Sequence, residues 1–496
     1  MDNWRASLHD LIEVTPLRWV LHSRHGWLRA LFGLLLTAGL AVGCGWLLAE
    51  VGVLPVAALL LALGVALWML VDIEVAYWAV IGIVTLLPFG SLPFSIGFTP
   101  TFLDLALLGL FFVWLAPIAL GQQRLDLIAT PLGLPILLFA LLAVGAFVAG
   151  LSHGALTAYL IRHFAEILLS IALFFLVVNS VRSRDRLTRL TRFLLLCAGA
   201  AAALGILLYV IPEETAMRAL SALGRFGYPT GPGVIWHIRD DPELMQRATS
   251  TSVHPNILGS LLNLSLVLAT PQLFAKRPII KRSVLLPLLG LIGLGLVLTI
   301  SRGSMVGAAV GVFVLAALRY RKLLPLMALA LVLVLVLPWT QELLGHFIEG
   351  VQGADLSTKM RFGEYKDALI LIRRYPLLGV GFAGAPDIDI YVAVANIYLL
   401  IAAQMGLVGL AGFLLVIGIL LARFWRHRNH TAPFPRLEPL WFGYHAAVIG
   451  GLVGGVFDHY FFSLDFHHSV TIFWLFLGLA TATTEILERR LAQEAA

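Results

Sequence analysis

Apolar runs of about 20 residues, the length that crosses a bilayer as a helix, recur along nearly all of this 496-residue chain. In hydrocarbon every backbone N–H and C=O must find a partner within the protein, so runs of this kind fold as helices packed side by side. Composition leaves room for little else: 12% of residues are charged and 60% hydrophobic, against about 25% charged in soluble domains. Mean hydropathy is +0.93. The pattern predicts an all-α polytopic membrane protein of about 12–14 transmembrane helices. The spans read as roughly 28–49, 53–71, 74–89, 101–120, 131–150, 157–179, 191–211, 254–274, 283–300, 303–319, 322–338, 392–421, 439–457 and 466–484. No period of 20–50 residues repeats and no low-complexity linker occurs, so residues 1–496 are expected to form a single membrane domain.

Orientation follows from Lys and Arg, which concentrate in cytoplasmic loops. Basic clusters lie in the amphipathic N-terminus 1–27, at Arg182–Arg192, Lys276–Arg282, Arg319–Lys322, Arg423–Arg428 and Arg489–Arg490. Even numbers of spans separate them, so both termini are expected in the cytoplasm and no cleavable signal peptide is read. The long polar loops 212–253 and 339–391 then fall outside, with short interfacial helices expected at 341–351 and 357–374. The formal charge of +6 belongs to these loops and implies no nucleic-acid partner. Cys44 and Cys197 lie within apolar segments, which indicates neither a disulfide framework nor a metal cluster.

Ionisable residues near membrane depth are costly and therefore candidates for function. In this topology Asp104, Arg162, His163, Glu166, Arg247, His254, Arg302 and Arg361 belong to the outer half or outer surface. Arg162 and Glu166, four apart on one helix, can simply pair with each other. Arg302, between two spans with almost no loop, must find carbonyls, a carboxylate or a phosphate. In Arg247-Ala-Thr-Ser-Thr-Ser-Val-His254-Pro255-Asn256 the last residues suit a helix start, while Arg247 in a polar loop suits a phosphate. Asp387 and Asp389 have the spacing of an acidic metal pair, but two acids in a loop are common. His459, His467 and His468 lack the spacing of a zinc site. The polar stretch from Arg361 to Pro376 leads into the turn Pro376-Leu-Leu-Gly379-Val-Gly381 and then into Ala395-Asn396-Ile-Tyr398 ahead of Gly406 and Gly409.

Taken in order, Arg247 with His254-Pro255-Asn256, Ser301-Arg302-Gly303, Arg361 with the glycine turn, and Asn396-Ile-Tyr398 with Gly406-Leu-Val-Gly409 resemble the O-antigen ligase and polymerase superfamily of bacterial membrane glycosyltransferases. The resemblance covers roughly residues 240–480. It implies a metal-independent enzyme without a cofactor at the outer face of the bacterial plasma (inner) membrane. Such an enzyme takes a glycan from an undecaprenyl-diphosphate-linked donor and passes it to a hydroxyl of a sugar or lipid-linked acceptor. By the family pattern Arg247 and Arg361, with Arg302, contact the diphosphate, and Asn396 and Tyr398 join the substrate site.

The family's ligases carry a histidine directly before the asparagine of this pattern, and here that position is Ala395. The departure shifts the expectation toward polymerisation over ligation to a lipid core and leaves His254, Glu364, Asp389 and His459 as alternative bases. A carrier of small solutes and a non-catalytic relative are the competing readings. A carrier should place polar residues at the bilayer midplane, whereas this chain concentrates charge at the rim.

Overall fold

The computed structural model describes residues 63–93, 95, 97–122, 126–238, 241–336, 356–384 and 394–495, with single positions at 34, 38 and 345. Most of the two expected spans before residue 63, the expected helix 341–351, and both Asp387 and Asp389 lie outside the described residues.

The described chain is almost entirely helical: α1 (Ile73–Leu86), α2 (Phe102–Ala119), α3 (Gly133–Gly150), α4 (Ala158–Ser180), α5 (Arg184–Val210), α6 (Glu213–Ser221), α7 (Pro255–Ala269), α8 (Arg282–Leu298), α9 (Arg302–Leu318), α10 (Leu323–Val336), α11 (Leu356–Arg374), α12 (Ile397–His427), α13 (Glu438–Gly454) and α14 (His467–Ala495). Two short strands, β1 (Trp236–His237) and β2 (Gln246–Arg247), pair antiparallel in the loop ahead of α7. Among the described residues seven helices are long and apolar enough to cross a membrane, and α1, α8, α9 and α10 contain shorter apolar helices. From residue 73 onward each expected span has its helix, and the polar helix expected at 357–374 is α11. Helix starts follow local chemistry. Thr157 and Ser183 each accept an amide of the first turn, from Leu160 and Arg186, satisfying donors the helix itself cannot.

Contacts divide the chain into two compact units, Met1–Ala79 with Leu108–Gln123, and Val80–Leu107 with Arg124–Ala496. In the first, Gly109 of α2 lets the buried Met69 side chain lie directly on its backbone. In the second, α14 runs buried through the helix cluster, packing on α4 and α13. Lipid offers helices little hydrophobic reason to associate, so small residues and interhelical hydrogen bonds supply the packing. Gly307 of α9 lies so close to α13 that a Cβ there would meet the Gly450 carbonyl oxygen at 2.4 Å. Asn263 of α7 donates to that same carbonyl at 3.2 Å. These contacts bring the starts of α7 and α9 against the end of α13, where the candidate site forms. At the opposite end of α14, Arg423 of α12 pairs with Glu485 at 3.0 Å and Glu488 at 2.8 Å.

Helix α12 is broken. Gly406 leaves helical geometry at φ 69°, ψ −179°, and the Pro376–Gly381 turn fills the gap. Val380 and Gly381 donate to the carbonyls of Ala403 and Gln404, and Leu407 donates to that of Pro376, all within 2.9 Å. Gly379, Gly381 and Gly406 all have positive φ, which glycine adopts without a Cβ clash. The glycine turn thus splices α11 onto α12, and the amides of Val380 and Gly381 are used within the protein.

Candidate functional site

Arg247 ends strand β2. Its Nε donates to the Thr299 carbonyl at 2.9 Å and its Nη2 to Asn256 Oδ1 at 2.6 Å, which spans the end of α8 and the start of α7. Two β-branched residues beside this bridge, Val253 and Ile300, take φ of 62° and 51°. Left-handed backbone is strained for such residues and persists only where the surroundings enforce it. They turn the chain immediately before His254 and before Ser301-Arg302.

His254 caps α7 with its ring: Nδ1 accepts the Asn256 amide at 3.2 Å and lies 3.1 Å from the Tyr460 hydroxyl. Its edge packs on Trp236, with centroids 4.5 Å apart. Burial, reinforced by the positive charge of Arg247, lowers its pKa to about 3. The imidazole is therefore neutral, with its acceptor nitrogen already engaged, which makes it a poor base.

Asp458 sits in the loop after α13. Its Oδ1 accepts the His459 amide at 3.0 Å, and the Asn256 side chain bonds its carboxylate. Burial pushes this carboxyl up to about 7, against the downward pull of the Arg361 and Arg247 charges. With Asn256, Ser260, Asn263, Ser304 and Tyr460 it lines a small cavity between the ends of α7, α9 and α13. A carboxylate that titrates near neutrality is matched to general-base work at neutral pH. Tyr365 of α11 also feels the Asp458 charge, so α11 contributes to the same place.

The remaining sequence candidates divide by what their polar atoms touch. Arg361 acts electrostatically on His254, Asp458, His459 and Tyr460. Arg302 is the first residue of α9, and its neighbour Gly303 packs on Phe457, directly before Asp458. Glu364 accepts the Ala395 amide at 2.9 Å and Tyr365 donates to the Ala395 carbonyl at 3.1 Å. Burial raises the Glu364 pKa while that amide bond opposes the rise. Asn396 caps α12 through Tyr398 and Leu399 amides, both at 2.9 Å, and donates to the Val456 carbonyl. Tyr398 donates to the Leu452 carbonyl at 2.9 Å. Asn396 and Tyr398 therefore pin α12 to the end of α13 and so support the Asp458 loop. His459 is driven down to about 4 by burial, which weakens it as a base; its ring lies on Tyr460, centroids 4.9 Å apart.

Asp458 and Tyr460 were not among the sequence candidates. The available signal was an acid directly following a glycine-rich apolar span, Gly454-Gly455-Val-Phe-Asp458, which is faint beside three neighbouring histidines. Arg247, Arg361, Asn256 and Asp458 converge from segments spread over more than two hundred positions.

Residues 287–414, about a quarter of the chain, match the family model described as O-antigen ligase. The match takes in Arg302, Arg361, Glu364, Ala395, Asn396 and Tyr398, and stops short of Arg247, His254 and Asp458 on either side. This part of the chain is thus similar to the O-antigen ligase family. No curated protein matches the chain.

Proposed function

We propose that, building on this O-antigen ligase-type region, the protein extends a polysaccharide at the outer face of the bacterial plasma membrane. Its donor would be a glycan on undecaprenyl diphosphate and its acceptor a sugar hydroxyl of a growing chain. Both termini would lie in the cytoplasm, as the distribution of basic loops requires. The single observation that carries the mechanism is the position of Asp458, a carboxyl raised to about 7 beside Arg361 and Arg247.

In the proposed step the acceptor hydroxyl oxygen attacks the anomeric carbon, its proton passes to Asp458, and the bond from that carbon to the diphosphate oxygen breaks. Negative charge grows on the departing diphosphate, and arginines aimed at that charge stabilise the transition state more than the ground state. Arg247 and Arg361 take this role, with Arg302 at the positive end of α9. Binding the diphosphate offsets the arginine charges that hold the Asp458 pKa down. The base then becomes stronger when the donor is in place.

Ala395, which puts no base at the position where the resembled ligases carry a histidine, favours polymerisation over ligation to a lipid core. The break in α12 resembles what a carrier uses for ion binding, but the Ala403 and Gln404 carbonyls it frees are taken by the 380–381 amides. Polymer length, read on gels from cells carrying Asp458→Asn, tests the reading. Chains of normal length with a normally inserted variant would sink it.

A further inference from the structure

A second cluster of ionisable groups lies where α2, α4 and α14 meet. Arg162 of α4 donates from Nη2 to Asp104 Oδ2 at 3.0 Å and from Nε to Glu166 Oε1 at 2.9 Å. Asp104 Oδ2 also accepts the Thr101 amide at 2.9 Å. Each carboxylate is thereby held by one oxygen, and the other oxygen of each turns toward the first residue of α14. Asp104 Oδ1 lies 3.5 Å from His467 Nδ1, and Glu166 Oε2 lies 3.9 Å from it. Both separations exceed a hydrogen bond. His163 Nδ1 stands 2.9 Å from Glu166 Oε2.

The His467 side chain is only 9% exposed, and its Nε2 has no hydrogen-bond partner among the described residues. A buried imidazole nitrogen without a hydrogen bond is expensive. Its Nδ1 faces two carboxylate oxygens, and the three donor atoms all lie within 4.8 Å of one another. Ligand atoms about 2.0–2.2 Å from a tetrahedral ion stand about 3.4 Å apart, close to the spacing here. With neutral imidazoles, two carboxylates against one guanidinium leave one negative charge in the cluster.

We propose that Asp104, Glu166 and His467 hold a divalent transition-metal ion of the zinc class, with His163 or water in the fourth position. One imidazole nitrogen and two carboxylate oxygens suit zinc better than magnesium, which prefers oxygens and keeps its waters. Arg162 and the Thr101 amide act as outer partners that orient the ligating carboxylates. The ion ties three helices at one point and fixes the first turn of α14. Phe466, directly before His467, lies on Tyr460 with ring centroids 4.6 Å apart, so the ion also steadies the hairpin that carries Asp458. Its role is structural and stands apart from the chemistry at Asp458.

The test uses the full-length protein in detergent, purified without a histidine tag, stripped with a chelator and titrated with zinc ions alone. Metal analysis should find about one tightly held zinc per chain, and the melting temperature should rise by several degrees on zinc and stay unchanged on magnesium. His467→Gln and Asp104→Asn should abolish both, while His427→Ala, in a different His–Glu cluster, should keep both. Wild-type protein that neither retains zinc nor gains thermal stability overturns the proposal, whatever the variants do. So does zinc uptake that persists in His467→Gln and Asp104→Asn together.

Discussion

The Glu364 carboxylate accepts the backbone amide of Ala395 across 2.9 Å. The position that carries a histidine in the family's ligases is therefore held here by its main chain, with α11 pressed against it. In the proposed reaction the proton is taken elsewhere, and Asp458, buried beside Asn256 and the charges of Arg361 and Arg247, is the group whose raised pKa suits that role.

Replacing Asp458 by Asn keeps the shape and removes the base. Loss of a general base costs about 10²–10⁴-fold in rate. Glycan elongation by membranes containing Asp458→Asn should fall by that factor while donor binding, followed with labelled lipid-linked substrate, persists. Loss of binding together with turnover would assign Asp458 to holding the site instead.

The raised Asp458 pKa sets a pH dependence of known sign. Elongation under kcat/KM conditions should rise with pH through about 7 and then level off as the carboxylate forms. Stability should run the other way. Between the ordinary 3.8 and about 7 the folded protein holds a proton that the unfolded chain has released, so stability declines as pH rises across that window. Asp458→Asn should consequently melt at a higher temperature than wild type at pH above about 7; an equal or lower Tm there would contradict the burial argument.

Arg247→Lys keeps a positive charge and loses the fork that reaches Thr299 and Asn256 together. Elongation should drop nearly as far as in Arg247→Ala, with both variants still inserted in the membrane. Arg361→Ala, which breaks no such bridge among the described residues, should lower donor affinity with less effect on Tm.

Asn396→Ala removes the α12 cap and the bond to Val456. A lost cap costs about 0.5–2 kcal/mol, so a drop of a few degrees in Tm is expected, with reduced elongation through a displaced Asp458 loop. Asn396→Asp keeps the capping oxygen and should recover most of the stability.

Gly406→Ala is the severe test of the spliced helix. A Cβ there would lie 2.0 Å from the Leu377 carbonyl oxygen at φ 69°, adding steric overlap to a backbone penalty of more than about 1 kcal/mol. The variant should fail to accumulate in membranes, while Gly418→Ala, facing open space on the same helix, should be tolerated.

Much of this architecture was legible in the chain itself. Apolar runs separated by basic loops marked the helices from Ile73 to Ala495, because burial in lipid demands a continuous stretch of apolar residues and nothing more distant. Arg247 and Arg361 were legible as candidates because a charge near such a stretch is costly wherever the rest of the chain goes. The glycine turn 379–381 was visible as a turn, but not its use, since its partners Ala403 and Gln404 lie some twenty residues on across a polar loop.

Sequence alone thus determined the membrane class, the helices and the charged rim. Tertiary structure decided what the polar groups do. Asp458 is raised to about 7 because folding buries it, while Asn256, Arg247 and Arg361, from three separate segments, limit the rise. His467 meets Asp104 and Glu166 only because α2, α4 and α14 pack together. A side chain's proton affinity and its ligands depend on distances of a few ångströms, and those exist only once segments hundreds of residues apart have been brought side by side.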